Sequence, residues 1–97
     1  MSRHLWATFT ILFLLSSLLP GCMYFSAKKE MQRAEETISE MRVGGGQKAV
    51  PYEYTSAEKF LEVSRMEFDE NDYKAARDLA IRSKASGEAG LSGMKKK

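Results

Sequence analysis

The sequence contains one histidine and one cysteine among its 97 residues. The histidine is His4, so residues 22–97 have none, and general acid–base catalysis by histidine is excluded there. A single cysteine excludes an intramolecular disulfide. Lys and Arg total 14 in residues 22–97 against 13 Asp and Glu, a balance that excludes electrostatic binding of nucleic acid as the main activity. We therefore expect no enzyme, no metal site and no small-molecule substrate.

Charge is also missing from residues 5–19, an apolar run that follows a weakly positive start at Arg3. The run has fifteen residues, whereas a bilayer-spanning helix needs about 20. An apolar stretch of this length is typical of the core of a signal peptide. We predict that residues 1–21 form such a signal. The alternative is a short uncleaved anchor, which would leave the same part of the chain outside the inner membrane.

The apolar run ends at Leu19-Pro20-Gly21-Cys22, which resembles the bacterial lipobox. The resemblance implies cleavage between Gly21 and Cys22, with a diacylglycerol thioether on the Cys22 thiol and an acyl chain on its freed amine. No other cofactor is expected. Two or three acyl chains anchor a protein durably. Met23 follows Cys22, so the chain lacks an Asp at this position, which would resemble the inner-membrane retention signal of enteric bacteria. By this resemblance we expect an outer-membrane lipoprotein facing the periplasm.

Residues 22–42 are predicted to hold the lipidated cysteine and an amphipathic helix. Apolar side chains recur there in alternating three- and four-residue steps, at Tyr24, Ala27, Met31, Ala34, Ile38 and Met41. We call these six residues the seam. It could pack on the rest of its own chain, form a coiled coil that oligomerises at the membrane, or meet a helix of another protein. We favour the first, because a short seam with two alanines makes a weak coiled coil.

Residues 43–54 are predicted to be a flexible linker, because they include three consecutive glycines and Pro51. A helical hairpin is expected over residues 55–86, with Thr55 as the first N-cap and Glu58 completing a capping box. Residues 69–72 break the helical pattern and offer Asn71 or Asp72 as the second N-cap. Gly87 is the predicted end of the second helix, and residues 87–97 a disordered basic tail.

Residues 57–85 resemble a tetratricopeptide-type helix pair, above all in Asn71-Asp72-Tyr73 leading into Ala76 and Ala80. Together with the lead-in at residues 51–54, the hairpin is similar to short bacterial envelope lipoproteins that carry one Ala-rich helical domain of unknown function. The predicted fold is all-α. Its hairpin core is expected to comprise Phe60, Leu61, Phe68, Tyr73, Ala76 and Ala80. A lone hairpin buries little surface, so either the first helix completes a three-helix bundle or a partner covers the exposed stripe.

The function expected from the sequence is that of a non-catalytic adaptor or accessory subunit, tethered to the membrane within a cell-envelope assembly. Its partner would be another envelope protein or a second copy of itself. The residues predicted to contact it are Tyr52, Tyr54, Met31, Ile38 and Met41. Two alternatives remain open, a self-associating structural lipoprotein and a pilotin-like chaperone of a secretion-channel subunit.

Overall fold

The computed structural model describes the backbone of residues 2–96 and the side chains of residues 3–15 and 21–96. Four helices follow one another: α1 Ser2–Val43, α2 Gly46–Ala49, α3 Pro51–Asp69 and α4 Tyr73–Lys96. No strand occurs among the described residues. The fold is all-α, and α3 with α4 forms the helical hairpin that the sequence predicts.

The C-terminal half of α1 completes a three-helix bundle. Helix α4 packs closely against both α1 and α3, whereas α1 and α3 have fewer contacts with each other. Helix α3 runs antiparallel to the other two, so Tyr24 of α1 meets the ends of α3 and α4 that adjoin their connecting turn. The N-terminal half of α1 extends past the bundle and makes the molecule 70 Å long but only 24 × 15 Å across.

The core lies where α1, α3 and the end of α4 meet. Seven buried residues form it, namely Ala34, Ile38, Met41, Val50, Tyr54, Ala57 and Leu61. Met31, Leu91 and Met94 pack against this cluster while partly exposed. The seam of α1 therefore packs on its own chain, which is the arrangement favoured from the sequence.

The prediction of a flexible linker over residues 43–54 is wrong. Gly45 takes a left-handed conformation (φ 80°) at the end of α1, and Gly46 is buried against the Met41 backbone, with no space for a Cβ. Three glycines here serve a tight turn rather than flexibility. Helix α3 begins at Pro51 and not after Thr55, because proline suits the first turn of a helix, where its missing N–H costs nothing.

The prediction that the second hairpin helix ends at Gly87 is also wrong. Helix α4 continues to Lys96, and Gly87 and Gly90 are buried within it. Residues 87–96 are therefore not a disordered tail, while Lys97 lies outside the described residues. Glycine costs about 1 kcal/mol relative to alanine in a helix. Here it lets α4 approach α1 closely enough to pack against Met41, and this burial offsets the low helix propensity.

The turn between α3 and α4 follows the predicted capping pattern. Asn71 adopts a left-handed conformation (φ 67°), which asparagine tolerates better than most residues. The amide of Asp72 donates to the carbonyl oxygen of Glu67 at 2.9 Å and closes the end of α3. The Asp72 carboxylate then accepts a hydrogen bond from the amide of Ala75 at 3.2 Å, which makes Asp72 the N-cap of α4.

Candidate functional site

Cys22 lies between two described parts of α1 that differ in exposure, residues 3–15 and the residues from Ala27 onward. The described side chains before it, residues 3–15, are all exposed, including large apolar groups such as Trp6 (76% exposed) and Phe13 (74%). Past Cys22 the helix enters the bundle, and Ala27 is its first fully buried residue. Cys22 itself is exposed and its thiol is free. Among the described residues, none of the helices combines the length and apolar character needed to cross a membrane.

An aromatic cluster lies at the end of the bundle nearest Cys22. The Tyr24 ring lies 5.1 Å from Phe68 and 5.3 Å from Tyr73, and the last two rings are 5.1 Å apart. Phe25 meets Tyr24 edge-on at 5.5 Å and is 71% exposed. The Lys28 ammonium lies 5.3 Å from the Tyr24 ring centroid, within the range of a cation–π contact. We call these five residues and Cys22 the anchor end.

Two residues predicted for the hairpin core, Phe68 and Tyr73, belong to the anchor end. Phe68 and Tyr73 are half-buried and contact α1 as well as each other. Phe60 is also half-buried, whereas Leu61, Ala76 and Ala80 are buried as predicted. The topology of a three-helix bundle would have predicted this cluster. Since α3 runs antiparallel to α1, the start of the packed part of α1 must lie beside the turn between α3 and α4.

A second feature is an apolar groove of about 390 Å³ along the hairpin. The groove is lined by Tyr52, Thr55, Ser56, Lys59, Phe60, Val63 and Leu79. Its α3 residues lie opposite the stripe of Tyr54 and Leu61, so none of its lining comes from α1. Val63 is 40% exposed and Tyr52 79%. We call this feature the hairpin groove.

The residues predicted to contact a partner divide between surface and core. Tyr52 is on the surface and lines the hairpin groove. Tyr54 (4% exposed), Ile38 (3%) and Met41 (0%) are inside the bundle, so the prediction that they form an accessible surface is wrong. Met31 is partly buried against the same core. Since α3 starts four residues earlier than predicted, position 54 falls on the buried stripe of the helix.

Charged side chains line a separate cleft between α1 and α3. Glu35 pairs with Arg65 across the cleft at 3.0 Å, and Arg42 Nε donates to the Tyr54 hydroxyl at 3.1 Å. The hydrogen bond to Tyr54 raises the pKa of Arg42. Arginine already has the highest ordinary pKa of the side chains. Arg42 therefore stays cationic, and the cleft is held by polar contacts within the chain rather than shaped for an apolar ligand.

Comparison of the chain with protein-family models, with curated proteins and with solved structures finds no match. Among the described residues, no three His, Cys, Asp or Glu side chains are grouped as metal ligands. Within the described part of the chain, the anchor end and the hairpin groove are therefore the two candidate sites.

Proposed function

We propose that this chain is a bacterial lipoprotein that tethers a small three-helix adaptor to the periplasmic face of the outer membrane. In this proposal residues 1–21 are removed, and Cys22 carries a diacylglycerol and an N-acyl chain. The change in exposure along α1 supports it, since the described side chains of residues 3–15 lie outside the bundle, whereas Ala27 is already in the core. Cleavage at Gly21 would thus leave the bundle intact and the acylated residue next to it.

The adaptor role rests on the hairpin groove. Its apolar lining includes Phe60, Val63 and Leu79, on the face of the hairpin that α1 leaves uncovered. A concave apolar surface of a few hundred Å³ is suited to large apolar side chains of a partner. The occupant we propose is the apolar face of an amphipathic helix from another envelope protein. Lys59 beside the groove forms an exposed ion pair with Glu62 at 3.3 Å, a weak contact that it can exchange for the acidic edge of such a helix. No catalytic step is part of this proposal.

Self-association through the seam is less well supported than adaptor function. A coiled coil between two copies requires the seam to be free, but Ala34, Ile38 and Met41 are packed inside the bundle. Forming the coiled coil would expose the core that these residues share with α3. A pilotin-like role is the adaptor function with a secretion-channel subunit as the partner, and identification of that partner would reveal it.

The test is site-specific photocrosslinking in cells with a tagged full-length chain. A photoreactive residue replaces Val63 in the groove, and a matched one replaces Glu36 on the exposed face of α1. We expect one abundant envelope protein to be crosslinked at position 63 only, and to be lost when Cys22→Ser prevents acylation. Identical adducts at both positions, or capture of a second copy alone at position 63, would overturn the adaptor assignment.

A further inference from the structure

We infer that the anchor end is a lipid-contacting surface that seats one end of the bundle in the headgroup layer, with the Phe25 ring among the upper acyl chains. This inference rests on the proposed acylation of Cys22. Acyl chains alone hold a protein near a bilayer but leave its orientation free. The aromatic cluster supplies a second contact, and two contacts fix which end of the bundle faces the membrane.

The position of Phe25 carries the argument. It lies three residues after Cys22 on the same helix, about 4.5 Å along the helix axis. Phe25 is 71% exposed, although it is a large apolar side chain in the part of α1 that belongs to the bundle. An acylated Cys22 would place this ring within reach of the hydrocarbon boundary, where burial of its apolar surface is favourable.

The rest of the anchor end has the composition of a membrane interface. Tyr24 and Tyr73 combine an apolar ring with a hydroxyl, and such residues concentrate at the level of the headgroups. The Tyr73 hydroxyl donates to the Asn71 side chain at 2.9 Å, so its polar side is satisfied within the exposed turn. Lys28, stacked on Tyr24, can extend its ammonium toward lipid phosphate while its stem stays on the ring.

The charges at the anchor end indicate which kind of lipid surface it contacts. The turn between α3 and α4 presents Asp69, Glu70 and Asp72 on its exposed side. The exposed cations Lys28, Lys29 and Lys74 nearly balance these three carboxylates and that of the half-buried Glu67 at the end of α3. A balanced surface gains little from anionic lipid, so the contact we propose is with a zwitterionic surface and changes little with salt.

This orientation makes the hairpin groove accessible. Tyr52 and Phe68 are sixteen residues apart on α3, or about 24 Å along the helix. With Phe68 at the headgroups, Tyr52 and the adjoining part of the groove would point into the periplasm. The same contact that seats the bundle therefore presents its apolar groove to a partner above the membrane.

The experiment uses tryptophan as a depth probe, because Trp6 is the only tryptophan and lies in the segment that is removed. Phe25→Trp and Tyr52→Trp each give a processed protein with one tryptophan, at opposite ends of the bundle and both at exposed positions. The full-length genes are expressed in bacteria, and the acylated proteins are reconstituted into phosphatidylcholine vesicles with or without lipid brominated on its acyl chains. Circular dichroism checks that both variants remain helical.

We expect brominated lipid to quench the tryptophan at position 25 at least twofold and to leave that at position 52 within about 10% of its unquenched intensity. Equal quenching at both positions, or at neither, in a protein that is acylated and floats with vesicles would overturn the proposed orientation and leave the lipoprotein assignment standing. A protein whose intact mass shows no acyl chains and that does not float would overturn both.

Discussion

The hydroxyl of Ser83 on α4 donates a hydrogen bond to the carbonyl oxygen of Ala57 on α3 at 2.6 Å, and both residues are fully buried. A second bond of the same kind runs in the opposite direction, from Ser64 of α3 to the carbonyl oxygen of Ala76 of α4 at 2.5 Å. These bonds fix the register of the hairpin at two levels. They also satisfy the buried hydroxyl groups, which would otherwise destabilise the interface.

Loss of a buried serine bond should lower stability. We expect Ser83→Ala to reduce the free energy of unfolding by about 1 kcal/mol, because the hydrogen bond is lost without a large cavity. Ser92→Ala is the control, since Ser92 is exposed on the same helix. It should leave stability unchanged or raise it by up to about 0.5 kcal/mol through the better helix propensity of alanine. Urea unfolding measures both, and equal effects would contradict the role of the buried bond.

The approach of α4 to α1 makes Gly87 difficult to replace. A Cβ at position 87 would lie 2.5 Å from Cγ2 of Thr37, so we expect Gly87→Ala to lower the free energy of unfolding by about 1–3 kcal/mol despite its better helix propensity. Gly93→Ala is the control, because its Cβ would meet Val50 at an ordinary 3.4 Å. This second change should be neutral or slightly stabilising in the same unfolding assay.

The clash at Gly87 also predicts a rescue. Thr37→Ser removes Cγ2 but keeps the hydroxyl that donates to the carbonyl oxygen of Arg33. Combined with Gly87→Ala it should restore more than half of the lost stability, so the two changes should be clearly non-additive. Additive effects would mean that Thr37 is not what excludes a side chain at position 87.

Truncation of Tyr54 and of Tyr52 should lower the free energy of unfolding by very different amounts. Tyr54→Ala removes a core side chain that is 4% exposed, and we expect a loss of about 3–5 kcal/mol. Tyr52→Ala changes a residue that is 79% exposed, and we expect a change within about 0.5 kcal/mol. Thermal or urea unfolding followed by circular dichroism compares them. A large loss for Tyr52 alone would contradict the burial pattern of α3.

Helical spacing was sufficient to predict the all-α fold and part of its core. Leu61, Ala76 and Ala80 are buried because they recur on one face of each hairpin helix, and that regularity is visible in the sequence. Asp72 likewise caps α4 because a polar break precedes a helical pattern. The packing of the seam on its own chain followed from the weakness of the alternative coiled coil.

Tertiary contacts explain the features that were predicted wrongly from the sequence or not predicted at all. Gly87 and Gly90 favour a helix end by propensity alone, but close packing against α1 keeps them inside α4. The sequence pattern places Tyr54 before the predicted start of α3 and so on the surface, whereas the actual start at Pro51 puts Tyr54 on the buried face of the helix. The aromatic contacts of Tyr24 with Phe68 and Tyr73 depend on the order and direction of three helices, which local spacing does not encode.

The change in exposure along α1 predicts that residues 1–21 contribute nothing to bundle stability. A chain beginning at Met23 should unfold at the same temperature, within about 2 °C, as the full-length chain in the same mild detergent. The described side chains of residues 3–15 are exposed, so their removal costs no packing. A fall of 10 °C or more would show that the bundle depends on residues 1–21, which is inconsistent with their proposed removal.

Intact-mass spectrometry of the protein extracted from bacterial membranes shows whether Cys22 becomes the acylated N-terminus. We expect a chain of residues 22–97 whose mass exceeds that of the polypeptide by a diacylglycerol and one further acyl chain. In the Cys22→Ser variant the added mass should be absent. A wild-type protein that retains residues 1–21 and carries no lipid would show that this chain is not a lipoprotein.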